Sequence, residues 1–162
     1  MHSGFDHVTL AVRDLDEARR FFALLGFEET IATTASGEQM SRYMGIPDWE
    51  ADHVTLRLKG ALTHQEVQLL RFHRPVLAEK PDTGNLARLG FNHVCFAVDN
   101  LDATLATLRT AGIAPRNDVM EFHDRKLVFL TGPEGAVIEL AQWLTPEDRT
   151  GPADEGRHPG PW

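Results

Sequence analysis

The chain has 162 residues, of which 42% are hydrophobic and 25% charged, so it can build one compact domain or two small fused modules and is not wholly disordered. A net charge of −8 argues against nonspecific nucleic-acid binding, and no apolar run approaches the roughly 20 residues that a membrane span needs. The single cysteine, Cys95, excludes a disulfide framework and a cysteine-rich zinc module. No signal-peptide pattern is visible, so we expect a cytoplasmic protein without a membrane partner.

An internal repeat organises the chain. Residues 4–16, GFDHVTLAVRDLD, match residues 90–102, GFNHVCFAVDNLD, and the match extends to Gly26 and Gly112. Nine of the 23 aligned positions are identical, where chance would give roughly one or two. We interpret this pattern as a duplicated module.

The first copy opens with FDHVTLAV, an apolar and β-branched stretch that predicts a strand. Asp14 is a predicted N-cap for a helix over 15–25, and Gly26 suits the left-handed conformation after it. Two more strands are predicted over 53–58 and 66–72.

The second copy repeats this order with FNHVCFAV, an Asn100 cap, a helix over 101–111 and Gly112. Its later strands are predicted over 127–131 and 136–143, and Gly135 fits a hairpin turn. The chain then divides into a first module at 1–74 with an extra loop at about 32–52, a linker at 75–89, a second module at 90–144 and a flexible or draped tail at 145–162.

The repeat also predicts a cluster of polar side chains. His7 and His93 occupy equivalent places on the first strands, and the match of VQLLRF to IELAQW makes Gln68 equivalent to Glu139. Side chains alternate along a strand, so a polar residue between apolar neighbours points away from them. If each last strand pairs beside the first, a pseudo-twofold brings the four residues together, which suits a divalent metal with room for two more ligands.

The duplicated βαβββ layout, the two strand-one histidines and the terminal IELAQW resemble the vicinal oxygen chelate superfamily, over residues 4 to about 143. That superfamily includes glyoxalase I, methylmalonyl-CoA epimerase, extradiol dioxygenases and the fosfomycin and bleomycin resistance proteins. The resemblance implies an α+β fold, with two tandem βαβββ modules forming a curved mixed sheet around a metal cleft. It also implies one divalent ion (Ni, Co, Mn, Zn or Fe), a small-molecule substrate, a homodimer and the metal ligands His7, Gln68, His93 and Glu139.

This His/Gln/His/Glu set is most similar to that of methylmalonyl-CoA epimerase, whereas bacterial glyoxalase I more often shows Glu at position 68. The resemblance therefore implies a lyase, isomerase or epimerase that acts through a metal-bound enediolate on a small carbonyl or acyl-thioester substrate. A carboxylate beside the metal would take and return the proton. The candidates are Glu139, which is also a predicted ligand, and Glu66, which shares a strand face with Gln68.

Three further residues are candidates for substrate binding. Arg125 would hold a substrate carboxylate or phosphate, the alternative being an ordinary hairpin charge. Arg42 and Tyr43 lie in the extra segment, which would either cap the cleft and select the substrate or form a dimer contact.

Two other functions stay open from the sequence. An extradiol-type dioxygenase would bind Fe(II) through two histidines and one glutamate of one module, with His123 as the only candidate for the added histidine. A drug-binding resistance protein without catalysis would tolerate loss of the four polar residues. Cys95, between Val94 and Phe96, is expected to be a buried and inert thiol.

Overall fold

The structure, a computed structural model, describes residues 6–61, 65–78, 83–87, 89–122 and 124–145. The chain divides into two units, unit 1 with residues 1–83 and 132–135, and unit 2 with residues 84–131 and 136–162. The predictions for His123 and for the tail beyond residue 145 lie outside the described residues.

Unit 1 is a four-stranded mixed sheet with a helix across one face. Its elements in chain order are β1 (His7–Ala11), α1 (Leu15–Leu24), β2 (Phe27–Ser36), α2 (Glu38–Met44), β3 (Glu50–Leu58) and β4 (Glu66–Arg74). The strand order is β1-β4-β3-β2, in which β1 is parallel to β4 and the other pairs are antiparallel. The last strand therefore pairs beside the first, which is the condition on which the predicted polar cluster depends.

Unit 2 repeats the plan with shorter strands. It contains β5 (Val94–Ala97), α3 (Leu101–Thr110), β6 (Met120–Phe122), β7 (Arg125–Thr131) and β8 (Val137–Trp143). The strand order is β5-β8-β7-β6, again with a parallel first pair. The fold is α+β, with two βαβββ modules, as the repeat and the resemblance predict.

Both long helices begin where the sequence predicts, and each ends one residue earlier than predicted, at Leu24 and at Thr110. The Asp14 side chain accepts a hydrogen bond of 2.8 Å from the backbone N–H of Glu17, and the Asn100 side chain accepts one of 2.8 Å from Ala103. The glycines after the helices have positive φ angles, +88° at Gly26 and +81° at Gly112. Each is a conformation that a side chain disfavours, so a glycine marks each helix end.

Each helix covers one face of its own sheet. In unit 1 the rings of Phe22 and Phe27 meet edge to face at 5.9 Å, and Phe22 is fully buried. In unit 2 the three helix leucines at helical spacing are buried. The sheet residues under both helices are almost fully buried as well, namely Val54, Leu56, Val67 and Leu69 in unit 1, and Val128, Leu130, Ile138 and Leu140 in unit 2. The opposite face of each sheet is not covered by the helix and carries Gln68 in unit 1 and Glu139 in unit 2.

The segment 32–52 is not the loop that the sequence predicts. It contains the end of β2, the whole of α2 and the start of β3. The strand was missed because β2 is an edge strand that is exposed along most of its length, so its run of Thr and Ala shows no apolar alternation. Trp49 is 2% exposed and meets the Phe72 ring edge to face at 5.9 Å, which anchors the segment to β4.

No helix in the described ranges is long and apolar enough to cross a membrane.

Candidate functional site

Strand register confirms that Gln68 and Glu139 occupy equivalent positions. In unit 1 Thr9 of β1 lies opposite Gln68 of β4, and in unit 2 Cys95 of β5 lies opposite Glu139 of β8. Thr9 and Cys95 are themselves equivalent in the repeat. In each unit the polar residue shares the sheet face that its helix leaves uncovered, because its neighbours along the strand are buried on the other face.

His93 and Glu139 form the polar pair of unit 2. His93 directly precedes β5, and its Nε2 lies 3.4 Å from the Glu139 Oε2 atom. The two side chains are partly buried, with exposed fractions of 33% and 14%. The His93 ring also meets the Phe129 ring edge to face at 5.3 Å, which fixes the plane of the imidazole.

Asn92 determines the tautomer of His93, that is, which ring nitrogen carries the proton and which presents a lone pair. The Asn92 Nδ2 donates a hydrogen bond of 2.7 Å to the Leu86 carbonyl, so its Oδ1 is the acceptor that lies 2.9 Å from His93 Nδ1. His93 Nδ1 must then carry the proton, and in the neutral ring Nε2 presents its lone pair toward the Glu139 carboxylate. Two electron-rich atoms facing each other in this way create a place for a cation or a proton.

The same device occurs in unit 1. Asp6, the equivalent of Asn92, places its Oδ1 2.5 Å from His7 Nδ1, so the Nε2 of a neutral His7 is again the free lone pair. Sequence reasoning missed both of these partners. The sequence pattern that could have indicated them is a polar residue with a side-chain oxygen directly before each repeated histidine. Proteins orient metal-binding histidines by a hydrogen bond to the second ring nitrogen.

Cys95 corrects a prediction, because its side chain is exposed rather than buried. The strand alternation places it on the open face with Glu139 and not among its apolar neighbours. Desolvation of the thiolate, with the hydrogen bond to Glu139 and the negative charge of Glu139, raises the pKa of Cys95 to about 12 against a lowering effect of the Arg125 charge. The thiol therefore stays protonated at neutral pH and donates to the carboxylate instead of acting as a nucleophile.

The remaining predicted residues lie at different places. Glu66 aligns with His7 across the β1–β4 pair, which puts it on the open face with Gln68. Arg125 begins β7 and stacks on Trp143, its guanidinium carbon 5.0 Å from the ring centroid.

Arg42 and Tyr43 are on the exposed side of α2, where Arg42 lies 3.9 Å from Glu38 in a loose ion pair. Within the part of the chain that the structure describes, no contact links these two α2 residues to the predicted metal ligands.

The pair in unit 2 fits a divalent metal. Two ligand atoms each about 2.1 Å from one ion, at octahedral to tetrahedral angles, lie roughly 3.0–3.4 Å apart. The 3.4 Å between His93 Nε2 and Glu139 Oε2 matches that separation, and imidazole with carboxylate is a common donor set for such ions. No group of three or more His, Cys, Asp and Glu side chains able to hold a metal is found within the described residues.

A second polar network lies on the helix-covered side of unit 1 and was not foreseen. Asp52 accepts hydrogen bonds from Thr34 at 2.8 Å and from two nitrogens of Arg71, and its carboxylate lies 3.0 Å from His73 Nε2. The His73 hydrogen bond is the largest influence, and with Thr34 and Arg71 it outweighs desolvation and lowers the pKa of Asp52 to about 2. Thr34, Asp52 and Arg71 border a cleft of about 690 Å³ beside the start of α1.

Known proteins resemble this chain along most of its length. The family model described as the glyoxalase/bleomycin resistance protein/dioxygenase superfamily matches residues 6–129. Mitochondrial methylmalonyl-CoA epimerase of Mus musculus is 27% identical over 144 residues, which cover 85% of this chain and 71% of the epimerase.

Solved structures show the same fold. A glyoxalase family protein from Bacillus cereus aligns with a TM-score of 0.80 and 25% identity, covering 90% of this chain and 97% of that one. The fosfomycin resistance protein FosX of Listeria monocytogenes, solved with Mn(II) and sulfate, aligns with a TM-score of 0.56 and 16% identity, covering 93% of this chain and 100% of that one. The chain belongs to the glyoxalase/bleomycin resistance protein/dioxygenase superfamily.

Proposed function

We propose that this protein is a divalent-metal-dependent lyase, isomerase or epimerase that moves a proton next to a carbonyl or thioester group. The observation that carries the proposal is the His93–Glu139 pair, 3.4 Å apart, with the His93 tautomer set by Asn92. Both residues lie on the face that the helix leaves open, because Glu139 is opposite Cys95 and His93 lies two residues before Cys95. The resemblance to methylmalonyl-CoA epimerase supports the same class of reaction.

The proposed ligands are His93 and Glu139 in unit 2, and His7 and Gln68 in unit 1. A divalent ion held by such residues supplies Lewis-acid polarisation of a substrate carbonyl. The protein's own part is to orient the imidazoles through Asp6 and Asn92 and to keep the Glu139 carboxylate partly desolvated. Cys95 contributes a hydrogen bond to that carboxylate, which steadies its orientation.

Proton transfer is assigned to a carboxylate on the open face. Glu139 is one candidate, because a carboxylate that is 14% exposed is protected from bulk water and accepts a hydrogen bond from Cys95. Glu66 is the other, since it aligns with His7 and lies two residues from Gln68. In either case the base must lie within hydrogen-bonding reach of the substrate proton, and the rate depends on that geometry first and on its pKa second.

Metal binding by chelator-treated protein tests the ligand assignment. Ni, Co, Mn, Zn and Fe(II) are added back one at a time, and stoichiometry and affinity are measured by calorimetry and elemental analysis. We expect one ion per chain, lost in His7→Ala, His93→Ala and Glu139→Ala. His73→Ala is the matched control, because His73 faces Asp52 on the other side of the sheet and its removal should leave affinity unchanged. Equal affinity in all variants would refute the ligand set.

Exchange of substrate protons with deuterated solvent tests the reaction class. Acyl-CoA thioesters and 2-oxoaldehyde hemithioacetals are incubated with the reloaded protein, and deuterium incorporation is followed by NMR. Glu66→Gln and Glu139→Gln are compared with the wild type. Because Glu139→Gln is also expected to lose the metal, Glu66→Gln decides between the two candidates. Loss of exchange with retained metal binding in Glu66→Gln identifies Glu66 as the base, and retained exchange assigns the base to Glu139. No exchange with any substrate of either class would contradict the proposed activity.

A further inference from the structure

The open face of unit 2 continues beyond Glu139 as an apolar track that ends at a cation. Along β8 the next residues on this face are Ala141 and Trp143, and along β7 they are Leu127 and Arg125. Ala141 and Leu127 are nearly buried, with 3% and 8% of their surface exposed. The strand positions between Glu139 and Arg125 on this face are therefore apolar, and the exposed apolar surface at the far end comes from Trp143 and from the neighbouring side chains of β6.

Arg125 is a cation held ready for an anion. Its guanidinium lies 5.0 Å from the centre of the Trp143 ring, and the two residues are directly opposite each other in the β7–β8 register. No carboxylate among the described residues forms an ion pair with it. Stacking on an indole holds the guanidinium plane but leaves its edge donors available, and that edge matches the geometry of a carboxylate or phosphate.

Large apolar side chains surround this cation. Met120 and Phe122 of β6 lie opposite Leu127 and Arg125 and so share their face. Met120, Phe122 and Trp143 are 52%, 49% and 59% exposed. Contact between such side chains and the apolar part of a ligand is favourable, because it removes apolar surface from water.

We propose that the substrate is an amphiphilic acid, whose carbonyl or thioester lies at Glu139 while an apolar segment follows the track and a carboxylate or phosphate binds Arg125. This inference rests on the proposed function for the reacting end only. Four residues along a strand span roughly 13 Å, and the guanidinium lies over Trp143 at the far end, so the anion lies on the order of 10 Å from the reacting carbon. Short oxo acids would not bridge the two ends.

Binding to the metal-free protein tests the anion subsite apart from catalysis. Octanoate, octyl phosphate, butyrate and octylamine are titrated into chelator-treated protein by calorimetry. We expect octanoate or octyl phosphate to bind, butyrate to bind at least tenfold more weakly because it lacks the apolar segment, and octylamine to show no binding. The stronger of the two octyl anions tells whether the site takes a carboxylate or a phosphate.

Arg125→Gln and Lys126→Gln form a matched pair of variants. Both remove one positive charge from β7, but Lys126 lies opposite Gln142 on the helix-covered side. We expect Arg125→Gln to weaken octyl-anion binding at least tenfold and Lys126→Gln to leave it unchanged. Equal binding by both variants, equal binding of octanoate and octylamine, or no binding of either octyl anion would each overturn the proposal.

These outcomes are separate from those that test the reaction. Binding of octyl anions through Arg125 in a protein that shows no proton exchange would support the subsite and refute the proposed activity. Where exchange is found, Arg125→Gln should raise the KM of substrates that carry the remote anion and leave kcat within about twofold. A fall in kcat without a change in KM would contradict the assignment of Arg125 to substrate binding.

Discussion

The two units share one backbone plan but differ on the sheet face that the helix leaves open. Strand register places Thr55 of unit 1 at the position of Phe129 in unit 2, as it places Gln68 at that of Glu139. Unit 1 is therefore neutral and hydroxyl-rich at its centre, whereas unit 2 sets a carboxylate against an aromatic ring. The faces under the helices are alike, because burying apolar surface constrains them in the same way.

The ends of the two faces differ even more. Ala51 and Phe72 in unit 1 are equivalent to Arg125 and Trp143 in unit 2. Trp49 packs on Phe72 and closes the face in unit 1, while Trp143 stays 59% exposed under Arg125. After a duplication, the covered face retains its role in folding and the open face is free to acquire new chemistry.

The largest expected effect is on the free energy of unfolding, and it tests the packing of the helix on its sheet, which the two units share. Phe22→Ala should lower the free energy of unfolding by about 3–5 kcal/mol and Leu105→Ala by about 2–5 kcal/mol, since each removes a side chain that is at most 1% exposed and leaves a cavity. Urea unfolding followed by circular dichroism measures both. Ala23→Ser on the exposed side of α1 is the control, with a change under about 0.5 kcal/mol. A loss below 1 kcal/mol at Phe22 would show that the helix is not anchored as described.

Exchanging the equivalent polar residues tests how the units differ. Glu139→Gln keeps the shape of the side chain but removes its charge, and we expect at least about a hundredfold loss of metal affinity. Gln68→Glu adds a carboxylate at the equivalent position and should not weaken binding. Calorimetry on chelator-treated protein measures both variants. If Gln68→Glu lowered affinity as much as Glu139→Gln, position 68 would not be a ligand position.

The next largest effect is expected from substitutions of the residues that precede the two histidines. Asn92→Ala should lower metal affinity about 10- to 100-fold, because His93 then loses the hydrogen bond that fixes its tautomer. Asn92→Asp keeps the acceptor and should restore most of the affinity. Asp6→Ala tests the same device at His7. Unchanged affinity in Asn92→Ala, with the fold intact, would remove Asn92 from the proposed site.

The smallest effect concerns the Asp52 network, which unit 2 lacks. The equivalents of Asp52 and Arg71 are Lys126 and Gln142, neither of which is acidic. The pKa of Asp52 is about 2 in the folded chain, against an ordinary value of 3.8, so its contribution to stability is present above about pH 4 and is lost as the pH falls toward 2.

Asp52→Asn should therefore cost about 1–2 kcal/mol at pH 7 and nearly nothing at pH 2. Urea unfolding of the wild type and the variant across that range measures the difference, and Lys126→Gln serves as the control in unit 2. A cost that stays constant with pH would show that the Asp52 charge does not carry the effect.

Much of the fold followed from local signals. The repeat, the Asp14 and Asn100 caps and the glycines after both helices predicted the two modules, and the structure agrees. The alternation in VQLL and IELA also predicted that Gln68 and Glu139 point away from the apolar residues beside them, and each lies on the uncovered face of its own sheet. These features are readable because a cap, a glycine turn or an alternating strand is determined by residues close to each other in sequence.

Other features depended on partners distant in sequence. The exposure of Cys95 follows from which face of β5 the helix covers, and the strand at 27–36 is visible only through its pairing with β3. The fit of Asn92 to His93 depends on the Leu86 carbonyl, which orients the Asn92 amide.

The sequence by itself determined the duplication, the positions of the helices and the four polar residues that stand out from apolar strands. Only the tertiary structure decided how those residues are used. In the folded chain the Nε2 atom of His93 lies beside the Glu139 carboxylate. Arg125 stacks on Trp143, and Trp49 is buried against Phe72. Local patterns set which face of a strand a side chain takes, whereas the atoms it meets there come from strands and loops that only folding brings beside it.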